Sequence, residues 1–133
     1  MKKVQTPEAS PLQILVVENH RDTRTAFQQY LTLIGHDVSS VSSGEEALQF
    51  LENKECDVLI SDIGLPGIDG WELLRRAQPR HPLFAIAMSG FGMNADRTRS
   101  ARAGYRHHLL KPFAPGELEA MLEEASTERA AKC

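Results

Sequence analysis

The sequence predicts an α/β domain in which five parallel strands form one sheet, doubly wound with helices on both faces. Two observations support this prediction. Strand-like and helix-like segments alternate five times and are joined by short links, which is the order expected of a parallel sheet covered by crossover helices. The first strand-like segment, residues 12–17, is also almost wholly apolar, as in a strand that is buried on both faces. A chain of 133 residues suits one such domain.

The first strand and the first helix differ in the period of their apolar residues. Residues 12–17 (LQILVV) form a short aliphatic run that suits a buried strand. The following segment has apolar side chains at the spacing of one helical stripe, namely Phe27, Tyr30, Leu31 and Ile34. Gly35 stands where the C-terminus of a helix is commonly closed.

The second pair begins with a short strand over residues 36–42 (HDVSSVS). Ser43 then opens SGEEALQFLEN, and its spacing to Glu46 is that of a capping box at the start of a helix. The alternation continues in the same order to the end of the domain. Strands are predicted at 56–61, 82–89 and 105–110, and helices at 71–77, 94–103 (the weakest) and 116–125.

The composition excludes several classes of protein. The hydrophobic fraction of 41% and the charged fraction of 25% are close to the averages of globular proteins. The net charge of −3 gives no basic footprint for direct nucleic-acid binding, and no apolar run approaches the roughly 18 residues of a membrane span. The two cysteines, Cys56 and Cys133, make no disulfide framework, which indicates a reducing, cytoplasmic setting.

Both ends of the chain are polar. Residues 1–11 contain two lysines but no apolar h-region, and we expect a flexible leader there. Residues 12–125 form the predicted domain, and residues 126–133 are expected to be a flexible tail or a truncated linker.

Polar side chains gather where four of the predicted strands end. Glu18 and Asn19 follow the first strand, Asp62 the third, Ser89 the fourth and Lys111 the fifth. Ligands of open parallel sheets bind beyond the carboxyl ends of the strands, where the strand order reverses. The four strand ends therefore predict one site.

The residue types at this site suit phosphate and metal chemistry. Glu18 and Asp62 are carboxylates, and Mg²⁺ prefers one or two carboxylates together with waters and phosphate oxygens. A carboxylate can also act as a nucleophile that forms an acyl phosphate. The charge of Lys111 and the hydroxyl of Ser89 would stabilise the oxygens of a transferred phosphoryl group.

Four motifs in this region resemble the receiver domains of two-component response regulators, and the resemblance covers about residues 12–125. Each motif is short, but together they are specific. They are the pair Glu18 and Asn19, SDIGLPGIDG with Asp62 at the phosphoacceptor position, MSGFG with Ser89 at the hydroxyl position, and LLKPF with Lys111 and Pro112. The phrases SGFG and HHLLKPF further resemble receivers attached to hybrid sensor histidine kinases.

The resemblance implies a CheY-like, flavodoxin-like fold with strand order 2-1-3-4-5 and a phosphoacceptor that is not an enzyme. Asp62 would receive a phosphoryl group from the phosphohistidine of a sensor histidine kinase or a phosphotransfer protein, as in a two-component system or phosphorelay. Mg²⁺ would be bound by Glu18, Asn19, Asp62 and the main-chain carbonyl of Gly64. Phosphorylation would alter a surface near the fourth helix and fifth strand that contacts a downstream protein.

The resemblance also implies a cis peptide bond between Lys111 and Pro112, a conformation essentially confined to X-Pro bonds. His108 occupies the place, three residues before the lysine, where receivers often carry a Phe or Tyr that moves inward together with the hydroxyl residue, here Ser89. A switch role and an ordinary solvated strand histidine are both open for His108. His107 should point to the opposite face of the sheet.

Asn19 departs from the family pattern, because a second acid is usual at that position. An amide oxygen can coordinate a metal, but the substitution removes one negative charge from the site. The alternative function is therefore a pseudo-receiver, an interaction module with weak or no metal binding. Trp71 is interpreted as packing at the start of the third helix, Phe91 as loop packing and Asp69 as a turn or helix-start residue.

Two further functions fit the fold class. A doubly wound module for a flavin or nucleotide would need a Gly-rich phosphate loop after the first strand, and VVENHRDT has no glycine. A hydrolase with an aspartyl intermediate would need a general acid and a substrate cap, for which a chain of this length has little room.

Overall fold

The computed structural model describes residues 11–78, 83–90 and 94–132. Residues 1–10 of the predicted leader, Phe91 and Cys133 lie outside the described residues.

The structure confirms a flavodoxin-like (βα)5 fold. The strands are β1 Gln13–Val17, β2 Asp37–Val41, β3 Val58–Asp62, β4 Phe84–Ser89 and β5 His107–Leu110. The helices are α1 Arg21–Leu33, α2 Gly44–Asn53, α3 Gly70–Ala77, α4 Asn94–Ala103 and α5 Pro115–Lys132. All strand pairs are parallel, and the strand order is β2-β1-β3-β4-β5. The order reverses between β1 and β3, as a doubly wound sheet requires.

The sheet separates two apolar cores, because successive side chains of a strand point to opposite faces. One core packs α2, α3 and α4 against residues such as Leu15, Leu59 and Ala85. The other core packs α1 and α5 against strand residues that point to the opposite face, such as Ile14 and Ile60. Within the described part of the chain, no helix is long and apolar enough to cross a membrane.

The helix ends follow the local sequence signals with one difference. Gly35, which follows the C-cap residue Ile34 of α1, has φ of 105°, a conformation that glycine adopts without steric cost. The hydroxyl of Ser43 accepts a hydrogen bond from the backbone N–H of Glu46 at 3.0 Å, which is one half of the predicted capping box. The Glu46 carboxylate turns to the N–H of Ser42 at 2.7 Å, one residue before the N-cap.

Helix α5 continues through Lys132, whereas the sequence predicted a helix to residue 125 and a flexible tail after it. The extra turns have tertiary contacts: Ser126 is buried, and Arg129 donates to Asp57 at 3.0 Å and to the carbonyl of Pro11 at 2.8 Å. The polar composition of this segment does not reveal those contacts, because the residues that Arg129 contacts lie far away in the sequence.

Candidate functional site at the carboxyl edge of the sheet

Parallel pairing places four strand ends side by side. Across neighbouring strands, Val17 pairs with Ser61, Asp62 with Met88, and Ser89 with Leu110. Glu18, Asp62, Ser89 and Lys111 consequently lie at the ends of four adjacent strands. The structure thus brings together the side chains that the sequence predicted to share one site.

Lys111 bridges two carboxylates at this edge. Its Nζ donates to Oε1 of Glu18 at 2.8 Å and to Oδ2 of Asp62 at 3.0 Å. The side chain of Glu18 is fully buried, and that of Asp62 is 11% exposed. The other oxygen of Glu18 accepts from the backbone N–H of His20 at 3.1 Å and lies 3.0 Å from its Nδ1. Each buried charge therefore has a close partner, without which its desolvation would be costly.

Electrostatic interactions within this bridge keep the Glu18 carboxylate and the Lys111 ammonium charged. Burial raises the pKa of Glu18, but the hydrogen bonds from Lys111 and His20 outweigh burial and hold that pKa below its usual value. Burial alone would lower the pKa of Lys111, but its bonds to Glu18 and Asp62 raise it above the ordinary value. An ammonium group beside an ionised Glu18 is thus the stable arrangement at neutral pH.

The loop after β3 explains the glycines that follow Asp62. The N–H of Gly64 donates to Oδ1 of Asp62 at 3.1 Å. A Cβ added at Gly70 would lie 2.6 Å from the main-chain oxygen of Asp62, so a side chain there would prevent this close return of the chain. Asp69 caps α3 by accepting from the N–H of Glu72 at 2.8 Å, in agreement with its interpretation as a helix-start residue.

A second group of side chains continues from Ser89 away from the carboxylates. Ser89 Oγ lies 2.7 Å from Nε2 of His108, and Nδ1 of His108 lies 3.0 Å from Oγ of Ser100 on α4. Nε1 of Trp71 donates to the same Ser100 oxygen at 3.0 Å. His108 is half-buried and hydrogen-bonded at both ring nitrogens, so it is not a freely solvated strand residue.

His107 and His108 face opposite sides of the sheet, which confirms the prediction from strand alternation. Nε2 of His107 lies 2.9 Å from Glu124 on α5, whereas His108 contacts α4. The Lys111–Pro112 peptide bond is cis, as the family resemblance implied.

The donor atoms at this edge fit a magnesium ion held by two protein carboxylates. Glu18 and Asp62 already converge on one cation, the Lys111 ammonium, and Mg²⁺ commonly takes one or two carboxylates and completes its shell with water and phosphate oxygens. Among the described residues, no cluster of three or more His, Cys, Asp or Glu could hold a metal. Asn19 follows Glu18 in the sequence and Gly64 lies two residues after Asp62; both are exposed and stay candidate ligands.

Sequence reasoning missed the polar neighbours of the site. His20, which contacts Glu18, has no motif that marks it, since it simply follows the acidic strand end. Ser100 is 1% exposed within a helix that is rich in arginine, and a small residue among long cationic ones is the signal that could have placed it on the inner face. Trp71 packs against the core as predicted, but its bond to Ser100 depends on a residue 29 positions away.

Comparisons with known proteins point to one family. The family model of the response regulator receiver domain matches residues 14–123. The chain is similar to "Probable transcriptional regulator ycf27" of Guillardia theta, with 32% identity over 109 residues that cover 82% of this chain and 43% of that protein. It is also similar to an "Uncharacterized 14.6 kDa protein in sodA1 3'region" of Leptolyngbya boryana, with 34% identity over 116 residues that cover 85% of this chain and 88% of that protein.

A solved structure agrees with these relatives. The crystal structure of a CheY-like response regulator receiver domain protein from Methanospirillum hungatei JF-1 superposes with a TM-score of 0.86 at 26% identity, covering 93% of this chain and 100% of that chain. The chain spans less than half the length of the ycf27 relatives that it matches.

Proposed function

The chain belongs to the response regulator receiver domain family, and from this premise we propose that Asp62 accepts a phosphoryl group from a phosphohistidine. The donor would be a sensor histidine kinase or a phosphotransfer protein of a two-component system or phosphorelay. The observation that carries this proposal is the position of Asp62, whose carboxylate lies at a strand end with Lys111 Nζ 3.0 Å away. Such a carboxylate is a nucleophile beside a fixed positive charge.

The proposed transfer forms one bond and breaks another. A carboxylate oxygen of Asp62 attacks phosphorus, and the P–N bond of the phosphohistidine breaks. The imidazole leaves with the electron pair of that bond. It is a neutral ring if its other nitrogen already carries a proton, and otherwise it takes one proton from solvent. Lys111 then places its ammonium against the oxygens of the phosphoryl group, where the developing negative charge needs compensation.

Glu18, Asp62, the amide oxygen of Asn19 and the carbonyl of Gly64 would hold Mg²⁺, which supplies positive charge to the phosphoryl oxygens. The ammonium that now bridges Glu18 and Asp62 supplies part of the same compensation. We infer that the response to phosphorylation reaches α4 and β5 through Ser89 and His108, and that a downstream protein contacts this surface.

Labelling with a small phosphodonor tests the phosphoacceptor. Incubation with acetyl phosphate and Mg²⁺ should add the mass of one phosphoryl group to the intact protein, and Asp62→Asn should abolish the addition because an amide is a far weaker nucleophile. Asp69→Asn is the matched control, since asparagine caps a helix as well as aspartate does, and it should label normally. Equal labelling of Asp62→Asn would place the acceptor on another residue.

Asn19 favours one second candidate, a pseudo-receiver that binds partners without phosphorylation. Among the described residues, Glu18 and Asp62 are the two carboxylates that Lys111 contacts at this edge, and its ammonium neutralises part of their charge. If calorimetry detects no Mg²⁺ binding and acetyl phosphate adds no mass, the pseudo-receiver is the correct function. Phosphorylation at Asp62 excludes it.

A further inference from the structure

Four side chains form a continuous line of hydrogen bonds that ends beside the phosphoacceptor site. Trp71 of α3, Ser100 of α4, His108 of β5 and Ser89 of β4 are joined by distances of 3.0, 3.0 and 2.7 Å. We call these residues the Ser100 chain. Ser100 and Ser89 are almost fully buried, so water has little access to replace a lost bond within it.

The direction of the line is fixed at its far end. The indole N–H of Trp71 can only donate, so Oγ of Ser100 accepts that bond. In the described part of the molecule, the partners of Ser100 Oγ are Trp71 Nε1 and His108 Nδ1. If Nδ1 of His108 also donated to Ser100, the buried hydroxyl would accept twice and its own proton would have no acceptor, which is unfavourable.

The His108 ring is neutral at neutral pH, so its tautomer decides how the line continues. Burial lowers the pKa of His108, and the charge of Arg97 lowers it further, against an opposing effect of Asp96. A neutral imidazole carries one proton, on either Nδ1 or Nε2, and the other nitrogen accepts. Donation from Ser100 to Nδ1 requires the proton to be on Nε2.

We propose that Trp71, Ser100 and His108 are positioning residues that donate in one direction towards Ser89, so that Nε2–H of His108 donates to Ser89 Oγ and the Ser89 hydroxyl proton is directed away from the imidazole. This inference rests on the proposed phosphoacceptor function, because the directed proton then serves a phosphoryl oxygen on Asp62. The opposite tautomer would accept the Ser89 proton and withhold it from that oxygen.

The far end of the Ser100 chain lies beneath an exposed cation. The guanidinium of Arg99 lies 4.0 Å from the centre of the Trp71 ring, and Arg99 is exposed on α4. A partner that draws Arg99 away would disturb the ring that anchors the line. The Ser100 chain therefore gives the surface of α4 a physical connection to the hydroxyl at the site.

The tautomer of His108 can be measured without phosphorylation. Long-range ¹H–¹⁵N correlation spectra of protein labelled in histidine should show Nε2 protonated and Nδ1 unprotonated in the wild type. Ser100→Ala removes the donor to Nδ1 and should move His108 towards a mixture of tautomers, while Ser100→Thr restores the hydroxyl and should retain the wild-type signature. Thr98→Ala, which removes an exposed hydroxyl from the same helix, should change nothing.

The same samples are then labelled with acetyl phosphate and Mg²⁺. Ser100→Ala should slow labelling or shorten the phosphoryl lifetime several-fold, and Ser100→Thr should recover most of the loss. A wild-type His108 with its proton on Nδ1 would overturn the proposal even if Asp62 labels normally. The expected tautomer with no labelling of any variant would instead overturn the phosphoacceptor function, so the two failures are distinguishable.

Discussion

The two halves of the site hold their side chains by different physics. Glu18, Asp62 and Lys111 form a charged half, in which two carboxylates share one ammonium. Ser89, His108 and Ser100 form a neutral half, in which hydroxyls and one imidazole exchange hydrogen bonds. The charged half depends on the number of charges at the edge, whereas the neutral half depends on which atom carries each proton. Substitutions should therefore affect the two halves by different amounts.

The largest effect should follow removal of the single cation in the charged half. Lys111→Met keeps an aliphatic side chain but leaves the fully buried Glu18 and its neighbour Asp62 without their shared ammonium. Breaking a buried ion pair on one side costs about 3–5 kcal/mol, and we expect a loss of this order in the free energy of unfolding at neutral pH. Urea denaturation followed by circular dichroism measures it.

Lys54→Met is the control for that substitution, since Lys54 is exposed and its ammonium lies over the Phe50 ring. An exposed cation–π contact is worth about 0.5–1 kcal/mol, so this control should lose far less. A Lys111→Met protein as stable as the wild type would mean that the ammonium does not offset the repulsion of the two carboxylates.

The neutral half should lose less when one of its members is removed. Ser100→Ala deprives Trp71 Nε1 and His108 Nδ1 of a shared partner, and a buried polar group without a partner costs about 1–3 kcal/mol. The half-buried state of both rings places the expected loss near the lower end of that range. Urea denaturation gives the value, and a loss as large as that of Lys111→Met would show that the two halves do not differ as described.

The charged half could be predicted from the sequence, and the neutral half only in part. Acidic and basic residues at strand ends are visible because the alternation of strands and helices places those ends at one edge. Ser100 and Trp71 lie on helices, and their meeting depends on how α3 and α4 pack against the sheet. Local sequence patterns do not contain that packing.

The positions of the helices and strands followed closely from the periodicity of the sequence. The predictions failed where contacts between residues distant in sequence, or a choice between adjacent backbone groups, determine the structure. The ten elements agree with the alternation, and the strand order agrees with the one that the family resemblance implied. The C-terminal end of α5 lies beyond its predicted position, because Arg129 donates to Asp57, which lies 72 positions away in the sequence. Glu46 similarly bonds Ser42 instead of the cap residue, a choice between adjacent N–H groups that the Ser-x-x-Glu pattern does not determine.

The pH dependence of the free energy of unfolding should show a smaller effect, which belongs to the neutral half. The pKa of His108 is lowered, first by burial and then by Arg97, so the unfolded chain binds more protons than the folded chain between the folded pKa and about 6.5. The free energy of unfolding must then rise with pH across that window and level off above it. His108→Gln should flatten this rise, as measured by urea denaturation at several pH values.

His36 also has a pKa lowered by burial, and it contributes equally to both proteins in that comparison. The difference between wild type and His108→Gln thus reports on His108. Parallel curves for the two proteins would mean that His108 accepts a proton as readily in the folded state as in the unfolded chain.

The smallest effect on the fold, and the most informative about the charged half, should come from Asn19→Asp. Asn19 is exposed, and surface substitutions usually change the free energy of unfolding by no more than about 0.5 kcal/mol. The added carboxylate should nevertheless tighten Mg²⁺ binding several-fold, because hard divalent ions are held largely by carboxylate charge. Calorimetric titration with Mg²⁺ measures this without any phosphodonor.

Asn53→Asp makes the same change of charge on the exposed end of α2 and should leave the affinity as it is. Equal tightening by both variants would reflect net charge alone, and unchanged affinity in Asn19→Asp would remove residue 19 from the metal site, leaving Glu18 and Asp62 as the carboxylates that decide whether this receiver binds a cation.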